Sequence, residues 1–278
     1  MTLKDIAVHL DNTDACRQRV EAALAVAAAH EAHVTGIGVL YQPFIPAYAE
    51  VQIGLDLIEQ QQQIYRDALN EIGAGFDTLA QAAGVSAGWR IVEGEPIDVL
   101  SEQARYADLI VLSQNEASGD MLRAGHEMPG RILLGAGRPA LIVPNIYNGA
   151  AFGTRILVGW DAGRAAARAI HDALPFLRKA EAVTIMVANP EPGEQGHGDL
   201  PGADLAAHLA RHGVKAEADH TISKDVGIGD LLLSRAADAQ ADMIVLGAYG
   251  HARWHELVLG GVTQHMLEHM PVPVFMSH

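Results

Sequence analysis

Ala107–Leu112 reads ADLIVL, and Ala241–Leu246, beginning 134 residues later, reads ADMIVL. Each run is an acid followed by four apolar residues without polar alternation, the pattern of a strand covered on both faces, and its recurrence marks an internal repeat. The same 134-residue spacing carries Pro139 onto Pro273, so PALIV and PVFMS close equivalent segments without a gap. Further upstream the spacing is 150 residues: KDIAVHLD ending at Asp11 corresponds to RILVGWD ending at Asp161. A long alanine-rich amphipathic stretch follows each. Both halves thus open on a strand that ends in aspartate and close on two buried strands. The join falls in Asn145–Gly153, NIYNGAAFG, whose Asn and Gly residues suit a surface connection. We therefore expect two domains, residues 1–147 and 152–278.

Short β-branched runs alternate with helical patterns in each half. In the second, strands are expected near Arg155–Trp160, Ala182–Ala188, Ala216–Thr221, Asp242–Gly247 and Val272–Met276. Helices are expected near Arg164–Leu177, Asp204–His212, Gly229–Gln240 and Gly261–His269. Each half reads βαβαβαβαβ, an α/β fold of two tandem, open, five-stranded parallel sheets with helices on both faces, Rossmann-like in class. The first half carries an insertion from Gln42 to about Asp56, beginning QPFIPAY and leading into a longer, Gln-rich helix, which suits a lid or an interface.

The 278 residues are 49% hydrophobic and 19% charged, an ordinary globular composition that excludes disorder and fibres. No apolar run approaches the roughly 18 residues that cross a bilayer, and the start lacks a leader-like pattern, so a cytoplasmic protein with no membrane partner is expected. The single cysteine, Cys16, cannot close an internal disulfide or build a structural zinc site. A net charge of -15 repels a phosphate backbone and argues against nucleic acid, while 14 histidines stand ready to soften that charge or bind metal.

Ligands of an open parallel sheet bind beyond the carboxyl ends of its strands. In the second half the sequence there is GAYGHARWHELVLGGVT, with Gly247, Gly250, Gly260 and Gly261 at a strand exit and a helix start. Glycines admit backbone amides close to an oxyanion, and a helix start favours phosphate; the same glycines would also serve as turns and a cap. The spacing Gly-x2-Gly-x9-Gly, followed by GVT, resembles the nucleotide-binding loop of the universal stress protein family, and the repeat is similar to its tandem members. The resemblance covers nearly the whole chain. One departure is Gly261, where that family has a hydroxyl residue; the backbone amide remains, and Thr263 can supply a hydroxyl.

The resemblance implies an ATP site, with or without Mg, in the second half. It implies that Asp161 accepts a hydrogen bond from the adenine amine, which favours adenine over guanine, whose O6 is itself an acceptor. It further implies that the Val187 backbone meets the adenine edge and that Gly159 and Trp160 line the base pocket. Leu246, Gly247, Gly250, His251, Gly260, Gly261, Val262 and Thr263 would hold ribose and phosphates. Read without the resemblance, the less favoured alternative for Asp161 is a helix N-cap before GRAAARAIHDAL. In the first half, Ser113, Glu116, His126 and Glu127 stand opposite Gly247, Gly250, Gly260 and Gly261, so that copy is expected to have lost ATP. Single-domain relatives pair through their last strands, which implies an intramolecular pseudo-dimer of the two halves, able to pair again as a homodimer.

Three motifs mislead. His265, Glu268 and His269 match H-x-x-E-H, but a third zinc ligand has no room downstream, and these are expected to be solvent-facing helix positions. GVSAG at Gly84–Gly88 follows a helix and precedes a strand, the reverse of a hydrolase elbow, and GAGRPA at Gly135–Ala140 leads into a strand rather than a helix. No G-x-x-x-x-G-K-[ST] segment exists, which excludes a Walker lysine. No catalytic residue and no metal ligand is assigned. The expected function is a stress-response module regulated by bound adenine nucleotide; slow ATP hydrolysis aided by His251 or His255, and a nucleotide-free scaffold, are the alternatives.

Overall fold

The computed structural model describes residues 2–41, 55–114, 123–190, 201–223, 225–250 and 261–278. The insertion expected at 42–56 therefore lies almost wholly outside the described residues. Leu3–Val111 makes one compact unit, and Leu112–His278 belongs to another.

The first unit runs β1 (Asp5–Leu10), α1 (Ala15–His30), β2 (His33–Leu40), α2 (Leu55–Ala83), β3 (Ala87–Glu93), α3 (Pro96–Ala104) and β4 (Leu109–Ser113, of which this unit holds the part to Val111). The strand order is β3-β2-β1-β4, every pairing parallel. The expected long Gln-rich helix is α2, 29 residues. The ADLIVL run earns its place twice. Leu109–Leu112 are fully buried, each such side chain contributing about 1.5–3 kcal/mol. Asp108, just before them, accepts the backbone N–H groups of Lys4 (2.7 Å) and Asp5 (3.1 Å) and so anchors the start of β1.

The second unit contains α4 (Arg123–Ala136), β5 (Ala140–Val143), β6 (Arg155–Gly159), α5 (Arg164–Leu177), β7 (Ala182–Ala188), α6 (Ala203–Arg211), β8 (Ala216–Thr221), α7 (Ile228–Asp238), β9 (Met243–Gly247), α8 (Gly261–His269) and β10 (Val274–Ser277). Its strand order is β5-β10-β9-β6-β7-β8. Pairings are parallel except β5 with β10, which run antiparallel with Val274 opposite Ile142 and Met276 opposite Ala140. The two proline-led closing strands thus lie side by side. Asp242 repeats the part of Asp108, accepting the N–H groups of Gly153 (2.8 Å), Thr154 (3.1 Å) and Arg155 (3.0 Å) at the start of β6.

The architecture is α/β, with helices connecting strands of an open, mostly parallel sheet. Successive connections from β6 run outward to β7 and β8, and the chain then returns to β9 on the other side of β6. The sheet therefore has its switch point between β6 and β9, the place where open α/β sheets bind ligands. No helix among the described residues is long and apolar enough to cross a membrane.

Candidate functional site

At the carboxyl end of β6, Asp161 accepts the Gly163 N–H on Oδ1 at 2.7 Å. Gly163, with extended backbone, is the N-cap of α5, and it has no side chain to cap with. Asp161 is therefore not the N-cap itself; it folds the turn that leads into the helix, two residues ahead of it. Its side chain faces solvent.

The β9 exit reaches the same point. A Cβ placed on Gly250 would come within 3.3 Å of Asp161 Oδ2, so the bare backbone of Gly250 lies against the carboxylate. Gly247 is needed for a different reason: a Cβ there would stand 2.3 Å from the backbone N of Ala166 and 2.5 Å from the carbonyl carbon of Ala165. The first turn of α5 packs directly on the end of β9, and only glycine permits that approach. Thr263, buried in the first turn of α8, turns its Oγ1 toward the Tyr249 N–H at 3.4 Å. The loop is also tied to the last strand: Ala248 N–H donates to the Ser277 carbonyl at 2.9 Å, and the His278 ring nitrogen lies 3.0 Å from the Ala248 carbonyl.

Backbone strain collects here. Five non-glycine residues among those described have left-handed φ: Glu31, Ala162, Asn189, Gln240 and Tyr249. Glu31 caps the end of α1 and Gln240 follows α7, as helix ends commonly require. The other three sit just past the carboxyl ends of β6, β7 and β9. Such residues cost of order 1–3 kcal/mol each and concentrate at ligand sites.

Of the residues expected from sequence, the structure brings together Gly159, Trp160, Asp161, Leu246, Gly247, Gly250 and Thr263. Gly159 is buried, its missing side chain replaced by Leu246, whose Cδ2 would lie 2.3 Å from any Cβ added there. Trp160 is half-buried and donates its backbone N–H to the Met186 carbonyl at 2.9 Å. Val187 is fully buried within the β7–β8 ladder, opposite His220. Gly261 is exposed with open space around it, and Val262 follows in the first turn of α8. His251 and Gly260 lie outside the described residues, as does Glu116.

The equivalent turn of the first unit is built from opposite materials. Asp11 Oδ1 accepts the Thr13 N–H (3.0 Å) and the Thr13 hydroxyl (2.6 Å) and forms an ion pair with Arg19 Nη2 (2.9 Å), while Oδ2 lies 3.3 Å from His9 Nδ1. Arg19 is 1% exposed and also donates through Nε to the His9 carbonyl at 2.7 Å. Burial alone would raise the Asp11 pKa, but the guanidinium, His9 and the two Thr13 hydrogen bonds outweigh it and hold the carboxyl at about 2. Burial, reinforced by Arg19, keeps His9 neutral, with a pKa of about 4. At the 150-residue register His9, Thr13 and Arg19 become Gly159, Gly163 and Ala169. Each side chain that occupies Asp11 has been cut back in the second copy. Sequence reading missed this network, although an arginine eight residues after the aspartate, inside an alanine-rich helix, was its visible sign.

His265 departs from the expected solvent-facing position. Its Nε2 lies 3.0 Å from Asp230 Oδ1 on α7, its ring packs on Gly229, and it stacks on His269 at 4.4 Å between centroids. Glu268 and His269 are exposed as expected. Among the described residues, no group of three or more His, Cys, Asp or Glu could hold a metal ion.

Residues 154–278 match the model of the universal stress protein family. No curated protein matches the chain in sequence. Among solved structures, a universal stress protein from Archaeoglobus fulgidus DSM 4304 superposes with a TM-score of 0.72 at 16% identity, over 98% of this chain and 97% of that one. A protein of unknown function from Pseudomonas aeruginosa PAO1 gives 0.59 at 13% identity, over 99% and 92%. A universal stress protein in complex with cAMP is 25% identical over 51% of this chain and 98% of its own, with a TM-score of 0.40. The first two show a shared fold across both halves. The stretch that matches the universal stress protein family, residues 154–278, carries the Asp161 turn and the glycine-rich sequence after β9.

Proposed function

We propose that the second copy, residues 152–278, binds one adenine nucleotide, with ATP the preferred form, and that the first copy, residues 1–147, binds none. The observation that carries this reading is the contrast between the two aspartates: Asp11 is saturated by Arg19, Thr13 and His9, while Asp161 faces solvent beside the bare backbone of Gly250. The residues fit the ligand in kind. Asp161 offers a carboxylate acceptor for an amino group, Trp160 and Gly159 border it, and the first turn of α8, with Gly261, Val262 and Thr263, offers amides and a hydroxyl for phosphate. Where Mg accompanies the nucleotide, it would be held by phosphate oxygens rather than by a protein cage.

The protein acts by binding, as a regulatory module of the stress response. The strained turns after β6 and β9, with Ala162 and Tyr249, border this site, so ligand contact there would be transmitted to both loops. The β5–β10 pairing supports the reading of the chain as two fused copies joined through their closing strands. Isothermal titration with ATP, ADP, AMP and GTP tests the proposal: saturable heat with the adenine nucleotides and little with GTP is expected, and no heat with any adenine nucleotide overturns it.

A further inference from the structure

In the first unit, beside the already paired Asp11, an open groove of about 710 Å³ is within the volume range that small-molecule sites occupy. It lies between α1 and α2 and opens beside the β1–α1 turn, where Asp11, Asn12 and Thr13 form one end; β1 flanks the switch point of this unit, with β2 on one side and β4 on the other. Val20, Ile72, Phe76 and Leu79 line its length.

Two features indicate what it would hold. The first is charge. Asp11 is already neutralised by Arg19, the rim residue Arg17 is bonded to Glu21 at 2.9 Å, and the remaining rim charge is the acid Glu71. The cation of this lining, Arg17, is thus already engaged by Glu21, and Glu71 would repel a phosphate. The second is Gly75. Glycine in a helix interior is unfavourable, and α2 contains two within its last eleven residues. Gly73 is explained by packing, since the Trp89 ring stands 2.3 Å from where its Cβ would be. Gly75 lines the cavity, and a Cβ there would meet nothing within 4 Å. Gly75 is exposed, so its missing side chain leaves the mouth of the groove open.

We propose that the α1/α2 cavity of the first unit is a binding site for an uncharged apolar small molecule, with a single hydrogen-bonding group directed to the Asp11–Thr13 turn. The two copies have then diverged to different ligands, and this site is independent of the nucleotide reading for the second. Cys16, on the cavity wall and the single cysteine of the chain, gives it a built-in reporter.

The test uses the full chain and the uncharged fluorophore N-phenyl-1-naphthylamine. Saturable one-to-one fluorescence enhancement is expected, with the anionic analogue 8-anilinonaphthalene-1-sulfonate about tenfold weaker. Gly75→Phe fills the cavity and should weaken the probe about tenfold or more without lowering the melting temperature; Gly75→Leu repeats the test with a smaller residue. In the unmodified protein, saturating probe should slow alkylation of Cys16 by N-ethylmaleimide, followed by mass spectrometry, which requires no variant. Unchanged probe affinity in both variants together with unprotected Cys16 overturns the proposal. Displacement of the probe by ATP would assign it to the second copy, and loss of its signal as the protein dimerises at high concentration would assign the groove to a second copy of this chain; either result also overturns it.

Discussion

Arg19 and Asp11 form a buried ion pair at 2.9 Å, and at the equivalent register of the second copy stand Ala169 and Asp161. One aspartate is locked in place by a buried guanidinium; the other is exposed and accepts the Gly163 N–H. Breaking a buried pair by removing one partner leaves the other uncompensated, which typically costs about 3–5 kcal/mol. Arg19→Ala is therefore expected to destabilise the first unit by about that amount in urea denaturation. An ion pair that contributes only packing would lose much less.

The same network makes stability depend on pH. The folded His9 pKa of about 4 lies below the unfolded value of 6.5, so the unfolded chain takes up a proton first as pH falls. Stability is lost from pH 6.5 down to about 4 and levels off below, by up to about 3 kcal/mol from this group. Asp11 adds a further loss between its ordinary 3.8 and about 2. Denaturation midpoints of wild type and His9→Asn, measured from pH 7.5 to 4.5, should converge as pH falls; parallel curves would exclude His9 as the source.

Much of this was legible in advance. The expected bounds of β7, β8, α5 and α8 match the observed ones, because uninterrupted apolar runs and alanine-rich periodicity are local signals. The repeat placed Asp11 and Asp161 correctly. What sequence could not give was anything that depends on approach: that Asp108 and Asp242 anchor the start of a neighbouring strand, that Arg19 reaches back to Asp11, and that His265 pairs with Asp230 on a neighbouring helix. Gly247 is the instructive case. Its position in a phosphate-loop pattern suggested ligand contact, yet the backbone of α5 already requires it.

The glycines of the loop should accordingly separate by substitution. Gly247→Ala forces a Cβ against the backbone of Ala165 and Ala166 and is expected to cost about 3 kcal/mol of stability. Gly261→Ser enters open space, should leave the melting temperature within a degree or two, and should tighten ATP by roughly two- to tenfold through one added hydrogen bond. Thermal melts with and without ATP distinguish the two.

Gly75→Ala in α2 is expected to raise stability by about 0.5–1 kcal/mol, since the position is helical and its Cβ meets no neighbour. A loss of stability in urea denaturation would contradict the open space in front of it.

The central claim is one nucleotide per chain, held by the second copy. Titration calorimetry of ATP into wild type, Asp11→Ala and Asp161→Ala tests it most directly. A stoichiometry of about one is expected for wild type and Asp11→Ala, and for Asp161→Ala a loss of affinity of about tenfold or more, because a charged hydrogen-bond acceptor is removed. A stoichiometry of two, or binding abolished by Asp11→Ala and retained by Asp161→Ala, would contradict it.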